Sequence, residues 1–371
     1  MKILQLVTKR QYRGAELSAY FLSKQLIELG HEIFWVGLYA PGNDILDLPG
    51  AINHDLPGEK KPFLNFKKVN ALKKFIKENK IDVVQANGSD NLKYAVAALS
   101  GIKNIPLVYR NISQVSFWLK NAIIKKAFTK LLLSQVDNIV SVGVQSMNDI
   151  NEIFPSFKNK TSVISRGVPD EKIDRLISSE KIKSEFGFPK NSKILMWAGS
   201  FSHEKNPEFM ISVMKEILKD LPDAKLIMAG KGPLLKIVEE EVIKQNLQNE
   251  IILPGYRSDL PVLFAASELF LLCSNIEGVP GVVLEAGIQE TPTVAVSVGG
   301  VKEVVINNET GILLNEHDIL SFSKAIKELL NDEIKRNEFG KKSRHFVLEN
   351  YNEKINAIKF EMLYKKLIKK S

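Results

Sequence analysis

The stretch Leu269-Phe270-Leu271-Leu272-Cys273-Ser274-Asn275-Ile276-Glu277-Gly278-Val279-Pro280-Gly281-Val282-Val283-Leu284-Glu285-Ala286 decides how this chain folds. Its first four residues form a continuous apolar run, the mark of a strand buried on both faces. Two glycines and a proline then break the pattern, and apolar residues resume at helical spacing from about Val282. A strand that turns into a helix in this way is the repeating unit of a parallel α/β sheet, which binds its ligands at the carboxyl ends of its strands. Gly278 and Gly281 let the backbone approach a ligand closely. The helix start aims unpaired N–H groups and a positive dipole at the same place, a setting that suits a diphosphate. Glu277 before the helix and Glu285 in its first turns are placed to accept hydrogen bonds from hydroxyl-bearing rings on either side of that phosphate, so they read as sugar and ribose ligands. An acidic residue near a helix start is also a common dipole complement, so neighbouring segments must decide.

Outward from this stretch the same alternation runs along the whole chain. The second half gives strands at Ile194 to Ala198, Leu226 to Ala229, Ile251 to Leu253 and Thr293 to Val296. The first half gives Ile3 to Val7, Ile33 to Gly37, Ile81 to Gln85, Leu107 to Tyr109 and Asn138 to Val142. Helical patterns separate them, the first from about Ala15 to Leu29 with Ala19, Leu22, Leu26 and Leu29 on one face. The expected fold class is therefore α/β, with two Rossmann-like doubly wound parallel sheets facing across a cleft. The Gly- and Pro-containing segment Ser165 to Asn191 reads as the linker, giving domains at 1–170 and 171–345. The tail from Ser343 to Lys370 reads as helical, with Phe346, Leu348, Tyr351, Ile355, Ile358, Phe360, Met362, Leu363 and Leu367 as its apolar contacts, and is expected to return to the first domain.

Two further strand ends carry phosphate-suited turns. Trp197-Ala198-Gly199-Ser200-Phe201-Ser202-His203-Glu204-Lys205-Asn206-Pro207 ends a strand and opens a helix at Pro207, and it places Lys205 to meet a phosphate. In the other domain, Tyr12-Arg13-Gly14-Ala15-Glu16 does the same after the first strand. Gly14 stands alone where a dinucleotide fingerprint needs three spaced glycines, which disfavours a nicotinamide enzyme.

Composition sets the outer limits. The 371 residues are 44% apolar and 25% charged, enough for two cores. No apolar run approaches the roughly 20 residues of a membrane span, and Met1 leads directly into a strand, so the expected location is the cytoplasm. The net charge of +8 is concentrated at residues 1–170, with 23 Lys and Arg against 14 Asp and Glu. Much of this lies in Lys60, Lys61, Lys67, Lys68, Lys73, Lys74, Lys77 and Lys80, and in Lys120, Lys125, Lys126 and Lys130. The plain interpretation is a solvated face of Lys-rich helices; the sharper one is peripheral contact with the anionic inner face of a membrane. Nucleic acid is not expected, because no aromatic-interleaved basic motif accompanies the charge. The lone Cys273 reads as a buried small hydrophobe. The five histidines offer no metal-ligand pair: His31 lies between a helix and a strand, His54, His317 and His345 read as surface residues, and His203 as a loop residue.

With these segments in order, the chain resembles the family 4 glycosyltransferases of the two-Rossmann-domain (GT-B) fold over nearly its whole length. The resemblance is strongest from Ile194 to Leu314. It rests on Ala198-Gly199-Ser200 through Glu204-Lys205-Asn206, Met228-Ala229-Gly230-Lys231-Gly232-Pro233-Leu234, Pro254-Gly255-Tyr256-Arg257-Ser258-Asp259-Leu260, the Glu277 to Glu285 segment, and Gly299-Gly300 with Glu303. Arg13-Gly14-Ala15-Glu16, Gly30-His31-Glu32-Ile33 and Ser165-Arg166-Gly167-Val168 match more weakly. The resemblance implies a retaining hexosyltransferase that uses a nucleotide sugar, by family frequency a UDP-sugar, with no metal and no other cofactor. Its acceptor would be a glycan or lipid-linked molecule in surface polysaccharide biosynthesis. It implies that Glu277 touches the donor sugar, Glu285 the ribose and Lys205 the diphosphate. Gly278, Val279, Gly281 and Val282 would lend backbone N–H groups, with Pro280, which has none, lining the same loop, and Gly14, Gly199, Ser200 and Gly230 would complete the donor site. Glu277 and Lys205 are thus the expected catalytic residues.

Three positions depart from the family pattern. Ser200 stands where many relatives carry a second phosphate-binding Arg, and Arg13 replaces the first Gly of a pair. Arg110-Asn111-Ile112-Ser113 follows a strand where relatives often place a His. Arg13 and Arg110 therefore stand as candidates for acceptor or electrostatic contact. Two other functions compete: a nucleotide-sugar epimerase, against which the Glu277 to Glu285 segment argues, and a catalytically degenerate nucleotide-sugar-binding partner subunit, suggested by Ser200 and the absent His.

Overall fold

A computed structural model describes residues 1–42, 45–58, 64–119 and 122–370. Lys60, Lys61 and Lys120 of the basic clusters lie outside the described residues. The chain forms two units, Met1–Pro169 with Tyr351–Ser371, and Asp170–Asn350.

The first unit is built on seven parallel strands: β1 (Lys2–Lys9), β2 (Glu32–Tyr39), β3 (Ile52–Asp55), β4 (Val83–Asn87), β5 (Leu107–Asn111), β6 (Asn138–Ser141) and β7 (Thr161–Val163). Their order is β3-β2-β1-β4-β5-β6-β7. Because successive side chains point to opposite faces, each strand feeds two cores. Leu4, Leu6, Phe34, Val36, Val84 and Tyr109 join the helices Phe66–Glu78 and Ser89–Leu99 on one face. Ile3, Val7, Ile33, Trp35, Val83 and Val108 meet the helices Gly14–Glu28 and Glu353–Ile368 on the other. Burial on both faces is why these segments are predominantly apolar.

The returning helix Glu353–Ile368 is held by chemistry as well as by area. The Tyr364 hydroxyl donates to Gln85 Oε1 at 2.6 Å, Gln85 Nε2 to Asn87 Oδ1 at 2.9 Å, Asn87 Nδ2 to Gln5 Oε1 at 3.0 Å, and Gln5 Nε2 back to Tyr364 at 3.4 Å. Four buried polar side chains from β1, β4 and the helix thus satisfy one another in a closed ring.

Several expectations are corrected here. The tail is two helices, Glu333–Asn350 in the second unit and Glu353–Ile368 in the first, interrupted at Tyr351 and Asn352. Of its expected apolar contacts Phe360 is buried, but Ile355, Ile358 and Met362 are exposed, and Ala357 and Tyr364 take further buried positions. Leu29 is the exposed C-cap of the first helix and not part of its buried face. Strand β4 begins two residues after Ile81, because the Asp82 carboxylate accepts the Lys2 backbone N–H before the ladder starts. Lys68 does not belong to a solvated face: it is fully buried, with Nζ 2.6–3.1 Å from the carbonyls of Leu38, Leu56, Pro57 and Gly58. His54 is half-buried, stacked on Phe75.

The second unit carries β8 (Lys193–Ala198), β9 (Ala224–Ala229), β10 (Ile251–Gly255), β11 (Leu269–Leu272), β12 (Thr293–Val296) and β13 (Gly311–Leu314), all parallel, in the order β10-β9-β8-β11-β12-β13. Leu195, Trp197, Leu226, Met228, Leu269, Leu271 and Val294 form one core with the helices Pro207–Ile217, Leu235–Lys244 and Ile319–Asn331.

Replacing Tyr364 by Phe removes one hydroxyl but interrupts the ring at two places, leaving Gln85 Oε1 and Gln5 Nε2 buried without it. Urea denaturation of Tyr364→Phe should show a loss of about 2 kcal/mol. The exposed control Met362→Ala should stay within about 0.5 kcal/mol.

Candidate active site

In the second unit the chain moves outward from β8 to β9 and β10, then crosses back to lay β11 on the other side of β8. The loops leaving β8 and β11 therefore diverge in opposite directions, and between them lies the crevice in which open α/β sheets hold ligands. Both segments singled out in the sequence, Gly199–Asn206 and Cys273–Pro280, are these two loops.

They are stitched together by main-chain contacts. Asn275 donates its backbone N–H to Glu204 O at 2.8 Å and its Nδ2 to His203 O at 2.7 Å. Cys273 Sγ lies 3.4 and 3.2 Å from the carbonyls of Lys205 and Asn206. Burial pushes the Cys273 thiol up to about 12, so it serves this junction as a neutral group and not as a nucleophile. His317, expected at the surface, is half-buried and donates Nε2–H to Cys273 O at 2.8 Å from the other side.

At the centre, Lys205 Nζ lies 2.6 Å from Glu277 Oε1, and Ser274 Oγ donates to the same oxygen at 2.6 Å. Glu277 is only 6% exposed, whereas the Lys205 side chain is 27% exposed. Both bonds fall on Oε1 and neither engages Oε2. Lys205 has spent one of three ammonium protons, so it can meet an anion without releasing Glu277. Asn206 takes a left-handed conformation (φ 50°), turning the chain from Lys205 into the helix Pro207–Ile217.

Glycines bring the backbone in behind these groups. A Cβ at Gly299 would stand 1.9 Å from Glu277 O, and one at Gly230 would stand 1.8 Å from Gly199 O. Both residues also have positive φ, 53° and 152°, so only glycine fits. The Gly299-Gly300 and Gly230-Lys231-Gly232 segments are thus supports for the two loops.

The helix Gly281–Ile288 begins directly after the Glu277 loop, with Pro280 as an N-cap that makes no side-chain capping bond. Its first amides are left to whatever sits in front of them. Glu285, half-buried, lies one turn above Gly281 on the same face. Gly278, Val279 and Val282 belong to this loop and first turn, and Ser200 is exposed on the facing loop.

Gly14, Arg13 and Arg110 belong to the first unit. Arg13 and Gly14 are exposed at the start of the helix Gly14–Glu28. Arg110 is buried: Nη1 donates to Ile164 O, and the guanidinium sits 5.0 Å from the centre of the Phe360 ring. Burial, reinforced by neighbouring Arg166, lowers its pKa against the opposing influence of Tyr364. Among the described residues, no group of three or more His, Cys, Asp or Glu is placed to hold a metal ion.

A family model described as Glycosyl transferases group 1 matches residues 178–346, and one described as Glycosyltransferase Family 4 matches residues 12–172. The chain belongs to glycosyltransferase family 4. The E. coli UDP-Gal:alpha-D-GlcNAc-diphosphoundecaprenol alpha-1,3-galactosyltransferase is 26% identical over 81% of this chain and 79% of its own length. The N-acetyl-alpha-D-glucosaminyl L-malate synthase of Bacillus anthracis is 25% identical over 62% of this chain and 60% of its own length. The crystal structure of Anabaena HepE in complex with UDP-glucose matches with a TM-score of 0.85 at 18% identity, covering 99% of this chain and 100% of that one. Sucrose-phosphate synthase from Thermosynechococcus elongatus matches with a TM-score of 0.85 at 19% identity over both full chains. These structural matches show the fold of this glycosyltransferase, GT-B.

Ser274, Asn275 and His317 escaped the sequence reading as site-forming residues. Ser274 precedes Glu277 by three positions inside the segment already singled out, whereas His317 reaches Cys273 from 44 residues away and leaves no local signal.

A double-mutant cycle on Lys205→Met and Glu277→Gln, read by urea denaturation, should give a coupling energy of about 1 kcal/mol, modest because the ammonium is partly solvated. Strictly additive effects would show that the pair does not interact in solution.

Proposed function

We propose that this family 4 enzyme is a retaining hexosyltransferase that moves a sugar from a UDP-sugar to a glycan or lipid-linked acceptor in surface polysaccharide biosynthesis. The observation that carries the reading is the meeting, at the strand-order reversal, of Lys205, Glu277 and an uncapped helix start. The UDP donor is supported by the names of relatives: the E. coli enzyme is a UDP-Gal transferase, and the HepE crystal holds UDP-glucose.

In this reading the diphosphate lies before the amides of Gly278, Val279, Gly281 and Val282. Glu277 receives a donor-sugar hydroxyl on Oε2, the oxygen that Lys205 and Ser274 leave open. Glu285, one turn further along, receives the ribose. Bond cleavage concentrates negative charge on the departing diphosphate, and Lys205 and the helix dipole stabilise that charge in place of a bound cation. The acceptor hydroxyl attacks on the face that the leaving group vacates, and the diphosphate helps to take its proton. Gly199, Ser200 and Gly230 shape the remainder of the donor site.

The roles separate kinetically. Lys205→Ala should lower kcat by about 10²–10³-fold, because Lys205 acts on charge that develops during the reaction. Glu285→Ala should instead weaken UDP binding by roughly 10–100-fold, the worth of a lost hydrogen bond to a charged group. The measurement is a thermal-shift and hydrolysis series with uridine and guanosine diphosphates and their sugars, without added metal. Stabilisation by the uridine series with slow sugar release is expected. Unchanged kinetics in both variants would remove the assigned site, and stabilisation by a nucleotide series with no sugar release would favour a catalytically degenerate partner subunit.

A further inference from the structure

The helix Ile123–Ser134 of the first unit reverses the usual arrangement of an amphipathic helix. A helix on a protein surface ordinarily turns its apolar stripe to the core. Here Leu133 is the residue buried, while Ile123 is 85% exposed, Ile124 86%, Leu131 62% and Phe128 47%. At about 100° per residue these four, with exposed Ala127 among them, cover one arc of about 140° directed away from the core. Lys125 borders this arc on one side, and Lys126 and Lys130 on the other, all three exposed.

The charge around the arc has one sign. No Asp or Glu occurs between Asn111 and Asp137. Beside the helix runs a groove of about 290 Å³, lined by Ile123, Lys126, Ala127, Lys130, Ile153 and Pro155, which continues the apolar surface past the lysines. Among the described residues no helix is long and apolar enough to cross a membrane, so any lipid contact made here would be interfacial.

We propose that Ile123–Ser134 docks this protein on an anionic lipid bilayer, with Ile123, Ile124, Phe128 and Leu131 entering the acyl boundary and Lys125, Lys126 and Lys130 meeting headgroup phosphates. An apolar arc bordered by lysines on both sides is the arrangement that lies in a bilayer interface, where long lysine stems reach back to the phosphates. The same border argues against a second copy of the chain, since a self-paired face would bring like charges together at both rims.

The test is co-sedimentation of the full chain with vesicles of phosphatidylcholine alone and of an equimolar mixture with phosphatidylglycerol. Binding to the mixed vesicles is expected, with much weaker binding to the neutral ones and loss at molar salt. The triple variant K125Q/K126Q/K130Q should bind the mixed vesicles on the order of 100-fold more weakly. The double variant I124N/F128N should lose at least roughly tenfold through the apolar component. Both leave buried positions untouched, so an unchanged melting temperature verifies folding. Equal binding to both vesicles, no binding, or variants that bind like the parent would overturn the proposal. So would a parent dimer in sedimentation velocity that I124N/F128N dissociates while vesicle binding stays intact.

Discussion

The reversal of strand order between β8 and β11 is the constraint from which the candidate site follows. A chain that has built its sheet outward in one direction must return to add strands on the other side. At the return, two neighbouring strand ends send their loops apart. The opening is made by topology before any side chain is chosen. What the sequence adds is the means to furnish it: Gly230 lets its segment lie against the backbone of Gly199 and Gly299 lets its own lie against that of Glu277, and Asn275 ties one loop to the other. Lys205 and Glu277, 72 residues apart, then meet at 2.6 Å as a consequence of where their loops must run.

The site and the helix Ile123–Ser134 embody opposite solutions to the presence of charge. Glu277 is nearly buried and is compensated by Lys205 and Ser274 on a single oxygen, a local and directional arrangement. The lysines of Ile123–Ser134 are solvated and act through their shared sign. Lys68 shows that residue type does not tell these cases apart: its helix is lysine-rich, yet its ammonium is enclosed by four carbonyls and holds the end of β2 to the loop after β3.

Much of the fold was legible because both sheets are parallel and covered on both faces. Leu269–Leu272 is apolar at every position and Thr293–Val296 is apolar after its first residue, so their bounds could be read to the residue. Edge strands were less visible. Ile52–Asp55 is half solvated and polar, Thr161–Val163 is three residues long, and neither carries the apolar run that identified its neighbours. At the site, the glycine-containing loops marked where chemistry belongs, but contacts that depend on tertiary placement were not legible. Ser274 bonds to Glu277 across a loop whose path no periodicity describes, and His317 arrives from after β13. The inverted helix was concealed for a related reason: its apolar spacing looks the same whether the stripe faces inward or outward.

The ring of Gln5, Asn87, Gln85 and Tyr364 has a consequence for the order in which the molecule can be made. The first unit draws residues from both sides of the second in sequence, whereas the second unit is continuous from Asp170 to Asn350. During synthesis, Gln85 Oε1 and Gln5 Nε2 must wait without their ring partner until the helix Glu353–Ile368 emerges and supplies the Tyr364 hydroxyl. The second unit, although later in sequence, has all its residues available sooner. The amino-terminal unit is therefore the last to be completed, a reversal of the usual vectorial order imposed by a single returning helix.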